Sequence, residues 1–161
     1  MIIFIIITTM VKLKMPTNYG FIDIHSHILP GMDDGAKNLN DAIKMASIAQ
    51  RHGTEKIIAT PHVDPSRISS NFNKIAAIKK SVSSLQKALD SNSISIKIIP
   101  GMEVLITPNL VNYIKRGKIT TILNRGKYIL VEFPFQTIPP YTEREIFNLA
   151  ASGYIPIIAH P

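Results

Sequence analysis

The sequence contains no cysteine among its 161 residues. This absence excludes disulfide bonds, thiolate metal ligands and a cysteine nucleophile. Dense runs of lysine and arginine are absent too, although the formal net charge is +7. Because the basic residues are scattered and no aromatic residues alternate with them, the sequence does not predict a nucleic-acid interface. A solvated, lysine-rich surface is the simpler interpretation of the charge, and attraction to anionic partners such as phosphorylated chain tails is the alternative.

An apolar segment, residues 1–11, opens the chain but is too short for a membrane helix, which needs about 20 residues. It also lacks the basic region and the small-residue cleavage site of a signal peptide. We therefore interpret residues 1–19 as an apolar N-terminal extension that arises from an early start codon, with Met15 as an alternative start. A strand and weak membrane association are less favoured interpretations. The segment predicts a cytoplasmic protein without a stable membrane span.

Segments typical of strands alternate with segments typical of helices along the rest of the chain. The predicted strands are residues 21–27, 56–60, 94–99, 128–133 and 155–159. The predicted helices are residues 40–52, capped by Asn38 or Asn40, then 72–89, 108–115 and 142–151. The helix at 72–89 is predicted to bury one apolar face, which consists of Ile75, Ile78, Val82, Leu85 and Leu89. This alternation predicts an α/β fold with a parallel sheet and helical crossovers. Because neither a repeat nor a linker interrupts it, residues 20–161 are predicted to form one domain.

Histidine and glutamate side chains stand at or just after the end of each predicted strand. The candidates are His25, His27, His62, Glu103, Glu132 and His160. Because the carboxyl ends of parallel strands meet at one edge of the sheet, where active sites of α/β proteins lie, we expect these side chains to converge. The fifth histidine, His52, lies near a helix end, and we expect it to be a surface or capping residue.

Each of these features has a simpler interpretation when it is taken alone. A histidine at a strand end is more often a hydrogen-bonded packing residue, and Glu132 can pair with a lysine. The Asp33-Asp34-Gly35 sequence is ordinary turn chemistry. The joint pattern favours metal binding, because many ionisable groups at one rim are costly to bury unless divalent ions neutralise them. His25 and His27 share one face of their strand, where Asp23 could accept the free N–H of a ligating imidazole.

Mixed histidine and carboxylate ligands suit manganese, iron or zinc better than calcium or magnesium. A carboxylate such as Glu103 can bridge two ions, and one acid of the following turn, Asp33 or Asp34, can add a further ligand. Two or three ions roughly 3.5–4 Å apart can bind the oxygens of a phosphate and activate a water as the nucleophile. The predicted site is therefore a hydrolytic metal centre in which Glu103 bridges ions and positions the attacking hydroxide.

These residues also form a recognisable series of motifs. The stretch FIDIHSHILPGMDDGA at residues 21–36 resembles the opening signature of the PHP-superfamily tyrosine phosphatases of bacterial capsule and exopolysaccharide loci. The motifs TPH at 60–62, GME at 101–103, VEFP at 131–134 and AHP at 159–161 follow in the order of that family. The resemblance covers residues 20–161, and the acidic turn after His-x-His separates this branch from most other PHP proteins.

The resemblance implies a distorted (β/α) barrel of the PHP type and a trinuclear centre, usually discussed as manganese, with iron or zinc as alternatives. It implies hydrolysis of phosphotyrosine on a protein, in particular a bacterial tyrosine kinase that controls polysaccharide export. The implied ligand sets are, for the three metals in turn, His25 with His27 and Glu103, then Glu103 with Glu132 and His160, then Asp34 with His62. Asp33 is the implied substitute for Asp34.

The sequence departs from the family pattern at its end. In the family, Glu-Arg follows the His-Pro pair, its arginine helps to bind phosphate, and a later Asp-x-His pair completes the metal sites. We therefore expect a domain truncated at its C-terminus, for which activity of this chain alone stays open. Another PHP enzyme, acting on histidinol phosphate or as a nuclease, is one alternative, against which the turn at residues 33–35 argues. A metal-binding fragment without activity is the other alternative, and the oligomeric state is not indicated.

Overall fold

The computed structural model of the chain describes residues 20–68, 74–122 and 126–160, so the predicted N-terminal extension lies outside the described residues. The strands are β1 (Phe21–Ser26), β2 (Thr54–Ala59), β3 (His62–Val63), β4 (Lys97–Pro100), β5 (Glu103–Leu105), β6 (Tyr128–Glu132) and β7 (Ile155–Ile158). The helices are α1 (Leu39–Arg51), α2 (Lys74–Ser91), α3 (Leu110–Lys115) and α4 (Thr142–Ala151), with a short 3₁₀ helix at Pro65–Arg67. All strand pairs among the described residues are parallel, which confirms the predicted α/β class.

The strands form two parallel sheets that continue one another. The first sheet has the order β1-β2-β4 and the second has the order β3-β5-β6-β7. Backbone hydrogen bonds bridge the gap between them, because the Gly101 N–H donates to the Ala59 carbonyl at 2.9 Å and the Glu103 N–H to the Pro61 carbonyl at 3.2 Å. The pairs β2/β3 and β4/β5 are therefore two long strands with short interruptions, and each interruption falls at a predicted strand end.

The residues at the interruptions explain why the ladder breaks there. Pro61 has no N–H to donate, so regular pairing cannot pass through it. Gly101 lies against β2 so closely that a Cβ atom on it would stand 2.6 Å from Ile58 Cγ2 and 3.2 Å from Thr60 Cγ2. Both residues turn the chain just before a candidate ligand, His62 in one strand and Glu103 in the other. The interruptions thus set the direction in which these side chains leave the sheet.

One predicted strand begins later than expected. Residues 94–96 were predicted to be part of it, whereas β4 starts at Lys97. The reason lies in the end of α2: Ser93 adopts a left-handed φ of 57°, and the Ile94 N–H donates back to the Leu89 carbonyl at 3.0 Å. This closure satisfies a free helix carbonyl and takes Ile94 out of the sheet. Ile94 and Ile96 are nevertheless buried, so their apolar character reflects burial in a connection.

Helices α1 and α2 cover the first sheet through complementary side chains. Helix α1 starts where the Asn38 side chain accepts from the Asp41 N–H at 3.0 Å, which is the predicted cap. It buries only small side chains, Ala42 and Ala46. Helix α2 buries the large side chains of its predicted face, Ile78, Val82, Leu85 and Leu89. The apolar core formed in this way leaves the carboxyl ends of the strands free for polar groups.

A search of the described helices for a membrane span finds none with the length and hydropathy that crossing a bilayer requires.

The close approach of Gly101 to β2 predicts a specific destabilisation. We expect Gly101→Ala to lower the free energy of unfolding by about 1–3 kcal/mol, because the added methyl group overpacks against Ile58. Ile58→Ala removes the nearest contacting atom, so the double variant is expected to lose less than the sum of the two single losses by at least ~0.5 kcal/mol. Urea unfolding of the four proteins measures this coupling. Strictly additive losses would show that the contact is not the cause.

Candidate metal centre

The structure brings the candidate side chains from the strand ends to one edge of the two sheets. His25 and His27 leave the end of β1, and Glu132 is the last residue of β6. His62 and Glu103 open β3 and β5, directly after the interruptions that end β2 and β4. His160 follows β7. His52, by contrast, is the C-cap residue of α1, as predicted.

The Glu103 carboxylate is the centre of this cluster. It is completely buried, and its Oε2 lies 3.1 Å from His25 Nε2, 3.0 Å from His27 Nε2 and 3.3 Å from His62 Nδ1. Its Oε1 lies 3.1 Å from His160 Nε2. Despite these short distances, neither oxygen receives a hydrogen bond of acceptable geometry. Nitrogens and oxygens therefore face one another without a donor properly directed between them.

This arrangement fits a set of metal ligands. Nitrogen and oxygen ligands about 2.0–2.2 Å from a common ion lie roughly 3.0–3.4 Å from each other. The Nε2 atoms of His25 and His27 are 3.2 Å apart, and both lie 3.0–3.1 Å from Glu103 Oε2. A proton between two imidazole nitrogens can serve only one of them as donor, whereas a divalent ion accepts lone pairs from all three atoms. The residues present fit a divalent metal on this geometry.

Three overlapping groups of side chains are close enough to hold an ion, with ligand atoms within 4.8 Å of one another in each group. The groups are His25 with His27 and Glu103, His27 with Asp34 and His62, and His62 with Glu103 and Glu132. The first group coincides with the first implied ligand set. In the last group His62 stands where the resemblance implied His160. Because His27, His62 and Glu103 each belong to two groups, the geometry suits neighbouring ions that share ligands.

The two acids of the turn after β1 have different surroundings. Asp33 accepts from His27 Nδ1 at 2.7 Å, from the Gly35 N–H at 3.1 Å and from the His62 N–H at 3.1 Å. Asp34 is 79% exposed, and its Oδ1 lies 3.4 Å from His62 Nε2. Asp33 is thus occupied in holding the two histidines, and Asp34 is the acid that is free to bind an ion.

Asp33 accepts the ring N–H of a candidate ligand histidine, a role for which Asp23 was the candidate in the sequence. By accepting from His27 Nδ1, it fixes the orientation in which the Nε2 atom of that ring points at Glu103 and His25. Asp23 instead accepts from the His25 backbone N–H at 3.1 Å. Burial raises the pKa of Asp23. The strand geometry explains the difference, since Asp23 Oδ1 reaches the amide two residues ahead, while the His25 ring points toward Glu103.

The turn is packed tightly against the strand that carries the histidines. A Cβ atom on Gly35 would overlap the His27 carbonyl oxygen and its Cβ, at 2.0 and 2.3 Å. The Ala36 N–H donates to the same carbonyl at 3.0 Å. Gly35 is therefore required by close backbone approach, and the approach holds Asp33 within reach of the His27 ring.

Opposite pKa shifts show that the charges of the cluster compensate one another. The Glu103 carboxylate raises the pKa of His27 to about 9, against burial, with Asp33 adding to the effect. Burial opposes ionisation of Glu103, but contact with His25 and His27 holds its pKa down to about 2. Burial raises the pKa of Glu132, although His62 lies 2.9 Å away. Without a metal, the contacts with Glu103 and Asp33 together keep the proton on His27.

A cavity of about 1210 Å³ opens in front of these side chains. One part of its lining is polar and consists of His27, Asp34, His62, Glu132 and His160. The other part is largely apolar and comes mainly from residues 133–138 and helix α4. The sequence does not predict this apolar part, because the segment has neither helix nor strand periodicity. Its only signal is two phenylalanines and an isoleucine close to prolines.

Comparison with known proteins assigns the family. The family model "Capsular polysaccharide synthesis, CpsB/CapC" matches residues 21–161. The chain belongs to the CpsB/CapC family. Its relatives include the tyrosine-protein phosphatase YwqE of Bacillus subtilis, which is 42% identical over 140 residues, or 87% of this chain and 54% of YwqE. The tyrosine-protein phosphatase CpsB of Streptococcus agalactiae is 29% identical over 139 residues, or 86% of this chain and 56% of CpsB.

A structural comparison agrees with the sequence comparison. A chain from the solved structures of YwqE from Bacillus subtilis and CpsB from Streptococcus pneumoniae, which are metal-dependent tyrosine phosphatases, superposes with a TM-score of 0.79. The two chains share 40% sequence identity, and the match covers 88% of this chain and 56% of the other. This chain thus spans about half the length of the CpsB/CapC relatives that it matches.

The contacts of Asp33 predict that it supports metal binding without being a ligand. We expect Asp33→Asn to weaken Mn²⁺ binding roughly 10–100-fold, because the His27 ring loses the charged acceptor that fixes its orientation. Asp90→Asn is the matched control, since Asp90 is an exposed acid of α2 that contacts Gln86. Titration calorimetry measures both affinities. Unchanged Mn²⁺ affinity in Asp33→Asn would contradict the orienting role.

Proposed function

We propose that this chain carries the ligands of a multinuclear metal centre that hydrolyses phosphotyrosine in proteins. The observation that carries the proposal is the buried Glu103 carboxylate, which faces the nitrogens of His25, His27, His62 and His160 without a proper hydrogen bond. Such a carboxylate is costly to bury unless a cation neutralises it. Membership of the CpsB/CapC family, whose relatives are named tyrosine-protein phosphatases, supports the choice of substrate.

The proposed ligands are those predicted from the sequence. They are His25, His27, Asp34, His62, Glu103, Glu132 and His160, with Glu103 shared between ions and Asp33 holding His27 in place. Manganese is the proposed ion, because mixed imidazole and carboxylate ligands suit it, with iron and zinc as chemically similar alternatives. When bound, the ions would supply Lewis acidity toward the phosphate oxygens and a nucleophile derived from water.

The residues of the chain have two further tasks in this proposal. The first is charge balance: Glu103, Glu132 and Asp34 provide the negative charge that holds cations at the edge of the sheets, while neutral imidazoles complete the set without adding more charge. The second is access, because the cavity beside the cluster leaves one side of His62 and Glu132 open to a phosphorylated side chain. A tyrosine leaving group has a reference pKa of about 10 as phenol, so its departure needs less protonation than that of an alkoxide.

We base the proposed barrel fold, location and substrate on membership of the family. We propose that residues 20–161 belong to a (β/α) barrel domain of the PHP type, a view supported by the sequential order of parallel strands linked by helices. We further propose a cytoplasmic location and, as substrate, a tyrosine kinase that regulates capsule or exopolysaccharide synthesis. The name of the family model, which refers to capsular polysaccharide synthesis, supports this biological setting.

The proposal predicts that hydrolysis depends on metal and on the histidines of β1. With Mn²⁺ present, we expect the full chain to release phosphate from a phosphotyrosine peptide, and we expect EDTA to stop the release. His25→Ala removes a nitrogen that faces Glu103 and His27. Removing a group that only supports a metal ligand can lower activity up to ~100-fold. We therefore expect removal of a ligand itself to lower the rate by at least ~100-fold. A phosphate-release assay at saturating Mn²⁺ measures the rates.

The matched control is His52→Ala, since His52 caps α1 away from the cluster and its loss should leave the rate unchanged. Folding of each variant is checked by circular dichroism. Uptake of Mn²⁺ by folded protein without turnover would contradict the phosphatase proposal and favour a metal-binding role. Preference for histidinol phosphate or single-stranded DNA over the peptide would contradict the choice of substrate.

A further inference from the structure

The cavity in front of the metal-ligand cluster has two chemically distinct parts. The polar part presents the candidate ligands His62, Glu132 and His160. The apolar part contains side chains that differ in burial. Phe133 and Ile146 are partly buried and pack against the core. Phe135 and Ile138 belong to the same lining but are 102% and 72% exposed.

Phe135 and Ile138 are held in place although nothing in the described residues covers them. The segment between β6 and α4 contains a hydrogen-bonded turn, in which the Thr137 N–H donates to the Pro134 carbonyl at 3.3 Å. A second hydrogen bond joins the Thr142 N–H at the start of α4 to the Pro139 carbonyl at 3.0 Å. Prolines fix the backbone at both turns. The apolar side chains are thus presented on a restrained loop that begins one residue after Glu132.

An exposed phenyl group beside a charged cluster is complementary to a ligand that has both an apolar part and a charged part. Ligand sites typically combine an apolar lining with a few polar groups that fix orientation. Here the cavity lining combines candidate metal ligands with an apolar surface, so the complementary molecule has an anionic head and an apolar body. An aryl phosphate has this form, whereas the phosphate of a short alkyl group has little apolar surface and no aromatic ring to place against the apolar part.

We propose that Phe135 and Ile138 form the wall that binds the aromatic ring of an aryl phosphate and so select it over alkyl phosphates. This inference rests on the proposed phosphatase function and adds the residues that determine its substrate class. The Phe135 ring offers a face or edge for aromatic contact, and Ile138 extends the apolar surface along the cavity. The loop couples the wall to the metal cluster, because Phe135 follows Glu132, the last residue of β6, by only three residues.

Binding of two phosphonates that cannot be hydrolysed tests the inference without relying on turnover. Phenylphosphonate and methylphosphonate carry the same head group and differ in the ring. We expect the Mn²⁺-loaded full chain to bind phenylphosphonate roughly three- to tenfold more tightly, the range of a single aromatic contact. We expect Phe135→Ala to remove most of this preference, and Ile138→Ala to reduce it, with methylphosphonate affinity unchanged. Titration calorimetry measures each dissociation constant.

Phe147→Ala is the matched control, because Phe147 is also an exposed phenylalanine but lies on α4 outside the cavity lining. It should keep the full preference for phenylphosphonate. Equal affinities of the two phosphonates for the unmodified chain, or a preference that survives Phe135→Ala, would overturn the ring-binding wall and leave the phosphatase proposal intact. Failure of both phosphonates to bind the Mn²⁺-loaded chain would instead overturn the proposed phosphate site itself.

Discussion

The buried carboxylate of Glu103 is the constraint on which the arrangement of the strand ends depends. An anion without exposed surface must be neutralised, and here four imidazole rings face it at 3.0–3.3 Å, two from the end of β1, one from the start of β3 and one from the residues after β7. The fold meets this demand through its connectivity, since parallel strands bring their carboxyl ends to the same edge. The interruptions at Pro61 and Gly101 come just before His62 and Glu103, which then open β3 and β5 as paired neighbours at the cluster. Local breaks in the ladder thus serve the assembly of the site.

Without a bound cation, the protein neutralises the negative charge of the cluster around Glu103 only in part. A proton held on His27, whose pKa is about 9, balances part of the negative charge of the metal-free cluster. Protons are poor substitutes here, however, because the facing nitrogens and oxygens lack hydrogen-bond geometry toward Glu103. Divalent cations satisfy the same lone pairs without directional N–H groups. Asp33 favours the replacement of a proton by a cation at His27. It keeps the Nδ1 proton of that ring in place, while the Nε2 atom is left for an ion.

Much of the fold could be predicted because periodicity, turns and caps agree with one another. The buried face of α2, the Asn38 cap and the strand ends that carry histidine and glutamate followed from such signals. The late start of β4 did not, because Ile94 and Ile96 are buried in a connection and apolar character does not distinguish that from a strand. The division of roles between Asp33 and Asp34 depends on which acid faces the His27 ring, and a pair of neighbours in a turn carries no information about that. The loop that carries Phe135 has neither helix nor strand periodicity, so its position beside the cluster could not be predicted.

The position of that loop links the proposed chemistry of the site to its proposed selectivity. Glu132 closes β6 inside the cluster, and the chain then turns at Pro134 to present Phe135 to the same cavity. Because Phe135 follows Glu132 by three residues, the backbone of one connection places the proposed apolar wall near the proposed phosphate site. A substrate with a rigid body can then contact the proposed phosphate site and the apolar wall at the same time. A phenyl ring attached directly to the phosphate oxygen does so with few rotatable bonds, which reduces the conformational entropy lost on binding.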